Sequence, residues 1–229
     1  ENENSMAVLW HISPQGEITT IELTDGGTYA DSYGVVADDQ GNKHVVGVEE
    51  NLGGINVATY WSVNSNNAVS KLKLGPDLAQ SIAYSIAIEN DGTLDIGGEE
   101  FNGEESVATY TQIQNGAILD SEDLSNGQSY ARASSINLLG DDVYIGGTYN
   151  KTSTIWINSS PISIGAQDGL FSYSNDSFPT DDALYMVGGF SCECPSNGAE
   201  MWVRNAQGSI TTVELEGKED SYLYSVYVL

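Results

Sequence analysis

The sequence predicts an all-β domain built from about five degenerate repeats, because three landmarks recur along it in the same order. The first landmark is an apolar strand centred on an aromatic or threonine residue. It recurs at positions 10, 61, 111, 156 and 202, at intervals of 51, 50, 45 and 46 residues. Landmarks that recur in a fixed order at such periods are the signature of a repeat architecture.

The other two landmarks precede the first within each unit. One is a glycine-containing end of an apolar strand, found at Val46-Gly47, Gly97-Gly98, Gly146-Gly147 and Gly188-Gly189. The earlier one is a short polar and apolar sequence, found at Tyr33-Gly34-Val35, Tyr84-Ser85-Ile86, Ser134-Ser135-Ile136, Tyr173-Ser174 and Tyr224-Ser225-Val226.

Each unit is predicted to form four antiparallel strands. In the unit that begins at Tyr84, hairpin turns at Asn90-Asp91-Gly92 and Asn115-Gly116 separate short alternating segments, and a polar loop, Glu99–Glu105, joins the middle strands. No segment shows helical periodicity. Four strands in about 40 to 50 residues are typical of a propeller blade. We therefore expect residues 1–229 to form a single β-propeller domain of about five four-stranded blades.

The ends of the sequence predict an unusual closing blade, formed from both termini. The chain begins with the third and fourth strands of a unit, Met6–Ser13 and Glu17–Leu23, and ends with a first strand, Ser221–Leu229. The second strand of this blade is missing, so we expect it to be incomplete. Three explanations remain open: the blade is short, Glu1–Ser5 fills part of the gap, or further residues or a neighbouring subunit complete it.

Two structural roles are predicted for the landmark residues. The tryptophans are expected at equivalent positions between neighbouring blades, at Trp10, Trp61, Trp156 and Trp202. The glycine pairs are expected where facing sheets approach closely.

The segment Ser85-Ile86-Ala87-Ile88 through Asp95-Ile96-Gly97-Gly98, and above all Asp142–Gly147 (DVYIGG), resembles the repeat of bacterial secreted and lipoprotein β-propellers. This resemblance covers nearly the whole chain. It implies the architecture and a secreted or cell-surface setting, and it implies no catalytic residue.

Charge limits the partners that we expect. Thirty-three acidic residues face seven basic ones, giving a net charge of −26. Such a surface repels nucleic acid and anionic lipid, and no segment has the roughly 20 apolar residues of a membrane helix. We expect a glycan or protein ligand, no nucleic acid, no membrane insertion, and self-assembly if the incomplete blade captures a neighbour.

Candidate ligand-binding residues come from the loops expected on one face of the propeller. Matching carboxylates in two adjacent units could bind sugar hydroxyls or a cation, and tyrosines beside charged groups suit carbohydrate or peptide recognition. The candidates are Glu49, Glu50, Glu99, Glu100, Tyr29, Asp31, Tyr130, Arg132, Tyr149 and Phe190. No metal or cofactor is expected.

The sequence favours a non-catalytic binding or structural module. Its two histidines, His11 and His44, lie in predicted strands, and nucleophile and phosphate-binding motifs are missing. The alternative is a carbohydrate-active enzyme that uses carboxylates at the channel mouth. Cys192 and Cys194 are expected to form either a strained local disulfide or two free thiols.

Overall fold

The computed structural model describes residues 5–127, 130–165, 171–191, 198–214 and 223–228, and these residues form five antiparallel sheets without a helix. The first sheet has two strands and each of the other four has four strands in chain order. The strands of the first sheet are β1 (Val8–Ile12) and β2 (Ile18–Glu22); those of the second are β3 (Ala30–Ala37), β4 (Lys43–Glu50), β5 (Asn56–Val63) and β6 (Val69–Lys73).

The remaining sheets repeat the same arrangement. The third contains β7 (Ser81–Ile88), β8 (Leu94–Phe101), β9 (Ser106–Gln114) and β10 (Ala117–Asp123). The fourth contains β11 (Arg132–Leu139), β12 (Asp142–Tyr149), β13 (Thr152–Ile157) and β14 (Ser160–Gly165). The fifth contains β15 (Phe171–Pro179), β16 (Ala183–Ser191), β17 (Gly198–Asn205) and β18 (Ile210–Glu214).

The all-β character and the four-strand unit predicted from the sequence are confirmed. The β9–β10 hairpin turns at Asn115 and Gly116, whose φ angles of 53° and 77° are those that a two-residue hairpin requires. One boundary was predicted wrongly, because β8 continues to Phe101. The carboxylates of Glu99 and Glu100 therefore lie on a strand and not in a loop. Likewise, Glu49 and Glu50 are the last residues of β4.

Every first strand of a four-stranded sheet carries a β-bulge, and a glycine on the second strand faces it. The bulged residues are Tyr33, Tyr84, Ser134 and Asn175. At the facing glycines, a β-carbon would overlap the backbone oxygen two residues before the bulge; these glycines are Gly47, Gly98, Gly147 and Gly188. The close approach that requires them lies within each sheet, and not between sheets as the sequence led us to expect.

The bulges also correct the alignment of the last complete repeat. Asn175, and not Tyr173, is the equivalent of Tyr84, because the register shifts between Ser174 and Asp176. In the same sheet, Val187-Gly188 corresponds to Gly97-Gly98, which leaves Gly189 one residue beyond the landmark.

Successive sheets pack through their first strands, with the residue after each bulge at the contact. The Ile136 amide donates to Ser85 Oγ at 3.1 Å, and Ser135 Oγ lies 3.0 Å from Ser177 Oγ. The same relationship recurs after the fifth sheet, where the Val226 amide donates to Asp176 Oδ2 at 3.1 Å. Residues 223–228 therefore occupy the place of another first strand.

Three of the four tryptophans lie in equivalent positions between sheets, as expected. Trp61, Trp156 and Trp202 are at most 1% exposed, and each packs against the preceding sheet. The prediction is wrong for Trp10, which is 67% exposed. Among the described strands β1 pairs with β2 alone, so Trp10 lacks the second strand that flanks the other three.

Within the described ranges, no helix is long and apolar enough to span a membrane.

Candidate functional site

A groove of about 530 Å³ opens where the starts of β11 and β15 approach the end of β8. Aromatic side chains form most of its wall, and we call it the aromatic groove. Its principal lining residues are Tyr130, Phe171, Tyr173, Tyr224, Arg132 and Glu99.

The aromatic rings form a connected platform. Tyr130 and Phe171 meet edge to face, with ring centroids 5.0 Å apart, and Tyr173 lies 6.1 Å beyond Phe171. Tyr130 is 49% exposed and Tyr224 is 75% exposed, so their rings are open to a ligand. Exposed aromatic rings with one polar end suit the apolar face of a sugar ring.

The backbone of Tyr130 is strained. Its φ angle of 59° lies in the left-handed region, which bulky residues seldom adopt and which costs about 1–3 kcal/mol. Such strain is concentrated at binding sites and active sites. At Tyr130 it places the exposed ring at the rim of the groove, above the ring of Phe171 with which it is in contact.

A hydrogen-bonded network forms the polar side of the groove. The Tyr84 hydroxyl donates to Glu99 Oε1 at 2.7 Å, and the Arg132 guanidinium lies over the Tyr84 ring, 5.3 Å from its centroid. Burial raises the pKa of Tyr84, and the neighbouring Glu99 carboxylate raises it further. Tyr84 therefore keeps its proton and holds Glu99 in place. Arg132 Nε donates to Ser134 Oγ at 2.9 Å, which orients the guanidinium.

Three of the ten candidate residues predicted from the sequence, namely Glu99, Tyr130 and Arg132, line this groove together. Glu49 and Glu50 lie elsewhere, in a hollow beside β6, where Glu49 forms an ion pair with Lys71 at 2.8 Å. The expected match between the two carboxylate pairs is wrong by one residue. Gly47 and Gly98 are equivalent, so Glu49 corresponds to Glu100 and not to Glu99.

The other predicted residues are separated from the aromatic groove. The Tyr29 hydroxyl donates to Asp31 at the start of the second sheet, and that hydrogen bond, more than burial, raises the pKa of Tyr29 to about 12. Glu100 lies beside Phe101 in a different hollow.

Two predicted aromatic residues have packing roles. Tyr149 packs edge-on against Trp156, with centroids 6.4 Å apart. The ring of Phe190 lies against Gly198, where a side chain would collide with it. Neither residue lines the aromatic groove.

Sequence reasoning missed Phe171, Tyr173 and Asn175, although a signal for them exists. Phe171 and Tyr173 stand four and two residues before the bulge at Asn175, as Tyr130 and Arg132 stand before Ser134. The alignment that used Tyr173-Ser174 as the landmark moved this unit by two residues and hid the equivalence.

The wall chemistry is suited to binding more than to bond cleavage. Paired-carboxylate glycoside hydrolysis needs two carboxyl groups about 5 to 10 Å apart across the substrate. Glu99 is the one carboxylate that the described residues contribute to the groove wall. Where the structure is described, no three histidine, cysteine or acidic side chains come together as metal ligands. Cys192 and Cys194 lie outside the described residues.

No protein-family model matches the sequence, and no curated protein matches it significantly. Among solved structures, the chain is similar to a protein of Bacteroides thetaiotaomicron VPI-5482 described as a "putative glycosidase", with a TM-score of 0.47 and 10% identity. The match covers 93% of this chain and 78% of that protein.

Proposed function

We propose that this chain is a five-bladed β-propeller that acts as a non-catalytic carbohydrate-binding module, with the aromatic groove as its binding site. The five sheets are its blades, and the first strands β3, β7, β11 and β15 surround the axis together with residues 223–228. The repeated contact of each post-bulge residue with the next sheet supports this arrangement, because it places all five segments in one relationship to their neighbours.

The observation that carries the functional proposal is the open platform of Tyr130 and Phe171 beside fixed hydrogen-bonding groups. Sugar recognition requires an aromatic ring for the C–H face of the pyranose and oriented donors and acceptors for its hydroxyls. Arg132, Glu99 and Asn175 supply those groups within one groove. The net charge of −26 favours a neutral sugar over a sulfated or phosphorylated one.

The secreted or cell-surface setting is part of the same proposal. The acidic composition and the resemblance of the repeat to secreted propellers support it, and extracellular glycans would be accessible there.

A glycan array, run with a parallel hydrolysis assay on the same sugars, tests this function. We expect binding to a family of neutral glycans, loss of that binding in Phe171→Ala, and no hydrolysis. Phe101→Ala is the matched control, because Phe101 is an exposed aromatic residue in a different hollow. Turnover of a bound sugar would contradict the non-catalytic role. Binding that survives in Phe171→Ala but is lost in Phe101→Ala would place the site elsewhere.

A further inference from the structure

Trp10 is exposed because its cross-strand neighbour is missing. In three sheets, a buried aliphatic residue on the second strand lies directly opposite the landmark tryptophan, in the pairs Val45–Trp61, Ile145–Trp156 and Met186–Trp202. All six side chains are at most 2% exposed. Trp10 has Thr20 opposite it on β2, but among the described strands nothing pairs with the other edge of β1.

The missing neighbour leaves an apolar face open. Ile12 and Ile18 are opposite each other in the register of the first sheet, on the same side as Trp10, and they are 64% and 67% exposed. An unpaired edge beside an exposed apolar face is a template for another strand.

The opposite side of the gap is already in position. Residues 223–228 stand where a first strand belongs, held by Asp176, which accepts hydrogen bonds from the Ser225 hydroxyl at 2.9 Å and from the Val226 amide. Tyr227 packs edge to face on Phe178, with ring centroids 5.2 Å apart. A first strand, a third and a fourth are thus present, and the described residues provide no second strand between them.

We propose that the first sheet captures one extended segment of a second polypeptide as its second strand. The segment would pair with β1 and place an aliphatic side chain beside Trp10. Such strand addition takes its affinity from backbone hydrogen bonds and its specificity from alternate side chains. It extends an interface that the molecule already forms four times.

The repeats specify the chemistry of that segment. Every second strand carries an aliphatic residue, then glycine or valine, then glycine, as in Val45-Val46-Gly47 and Ile145-Gly146-Gly147. The last glycine is required because a bulge faces it, and Tyr224 occupies the bulge position in residues 223–228. The captured segment therefore needs an aliphatic residue followed two positions later by glycine.

The test uses a synthetic peptide with the sequence of β12, DVYIGGTY, added to the intact protein while tryptophan emission is followed. The peptide has no tryptophan, and Trp10 is the one exposed tryptophan of the four. We expect a saturable shift of the emission to shorter wavelength, which is lost in Trp10→Phe. The same peptide with Gly147→Val should bind at least about tenfold more weakly, because its β-carbon collides with the strand opposite.

A second readout does not depend on tryptophan. The anisotropy of a labelled β12 peptide should rise with wild-type protein and stay unchanged with Ile12→Glu, whose fold is checked by circular dichroism. No binding, or equal binding of the glycine and valine peptides, would overturn the proposal. So would a peptide-independent shift that grows with protein concentration together with a doubled mass in solution, because a second copy of the chain would then cover this face.

Discussion

Ile145 and Trp156 lie directly opposite each other on β12 and β13, and both side chains are fully buried at the contact with the preceding sheet. The Trp156 indole also donates to the backbone oxygen of Leu124 at 3.3 Å. Since Leu124 follows the last strand of the third sheet, this one side chain joins two sheets through both packing and a hydrogen bond.

Trp156→Ala should therefore destabilise the protein strongly. We expect a loss of about 3–5 kcal/mol in the free energy of unfolding, the usual range for removing a large buried aromatic side chain. Trp10→Ala is the matched control at the equivalent position and should change the free energy by less than about 0.5 kcal/mol, because its ring is exposed. Urea unfolding of both variants measures the difference. Similar losses in the two would mean that Trp10 is buried in solution.

The glycine facing each bulge should tolerate no side chain. In Gly98→Ala the new methyl group would collide with the Ile82 backbone oxygen, and we expect a loss of about 1–3 kcal/mol. In Gly97→Ala the methyl group would meet Ala133 at 3.4 Å, an ordinary contact, so this neighbouring change serves as the control. Thermal unfolding distinguishes them. Equal melting temperatures would show that the bulge at Tyr84 is absent or easily displaced.

Glu89 should make the stability fall as the pH rises. Burial raises the pKa of Glu89, and the adjacent Asp95 raises it further. Asp95 is fully buried and accepts hydrogen bonds from the Tyr110 hydroxyl at 2.6 Å and from Gln112 Nε2 at 3.0 Å. A raised pKa means that the folded state binds the proton more tightly than the unfolded state. This stabilisation is complete below the unfolded pKa of about 4.3 and is lost as the pH rises through the folded pKa.

Glu89→Gln removes that dependence. We expect a higher melting temperature than wild type at pH 7 and a smaller difference at pH 4. Glu104→Gln, at an exposed loop position, is the control and should change neither value. Melting curves across this pH range test the sign, and a variant less stable than wild type at pH 7 would contradict it.

The periodic features of the fold could be predicted from the sequence because each has a local cause. Asn115-Gly116 supplies the backbone angles of a hairpin, and buried strands such as Val45–Val48 are apolar wherever both of their faces are covered. The bulges were not predictable in this way. An extra residue in a strand changes the register without changing the composition, so the unit around Asn175 was misaligned and Phe171 was overlooked.

The aromatic groove depends on the same register. Adjacent residues of a strand point to opposite sides, so a displacement of one residue separates Glu99, which lines the groove, from Glu100, which does not. Spacing in the sequence identified Tyr130 and Arg132 correctly because their unit contains an unambiguous landmark at Ser134-Ser135-Ile136. It could not show that Tyr84 and Glu99, from a different sheet, form a hydrogen bond beside them.

Calorimetric titration of Tyr130 variants with the best neutral glycan tests the central claim most directly, namely that a sugar stacks on the Tyr130 and Phe171 platform. Removing a stacked ring should cost about 1.4 kcal/mol of binding free energy, so Tyr130→Ala should bind about tenfold more weakly than wild type. Tyr130→Phe keeps the ring and should bind within about threefold of wild type. If Tyr130→Ala binds the sugar with wild-type affinity, the aromatic groove is not the binding site.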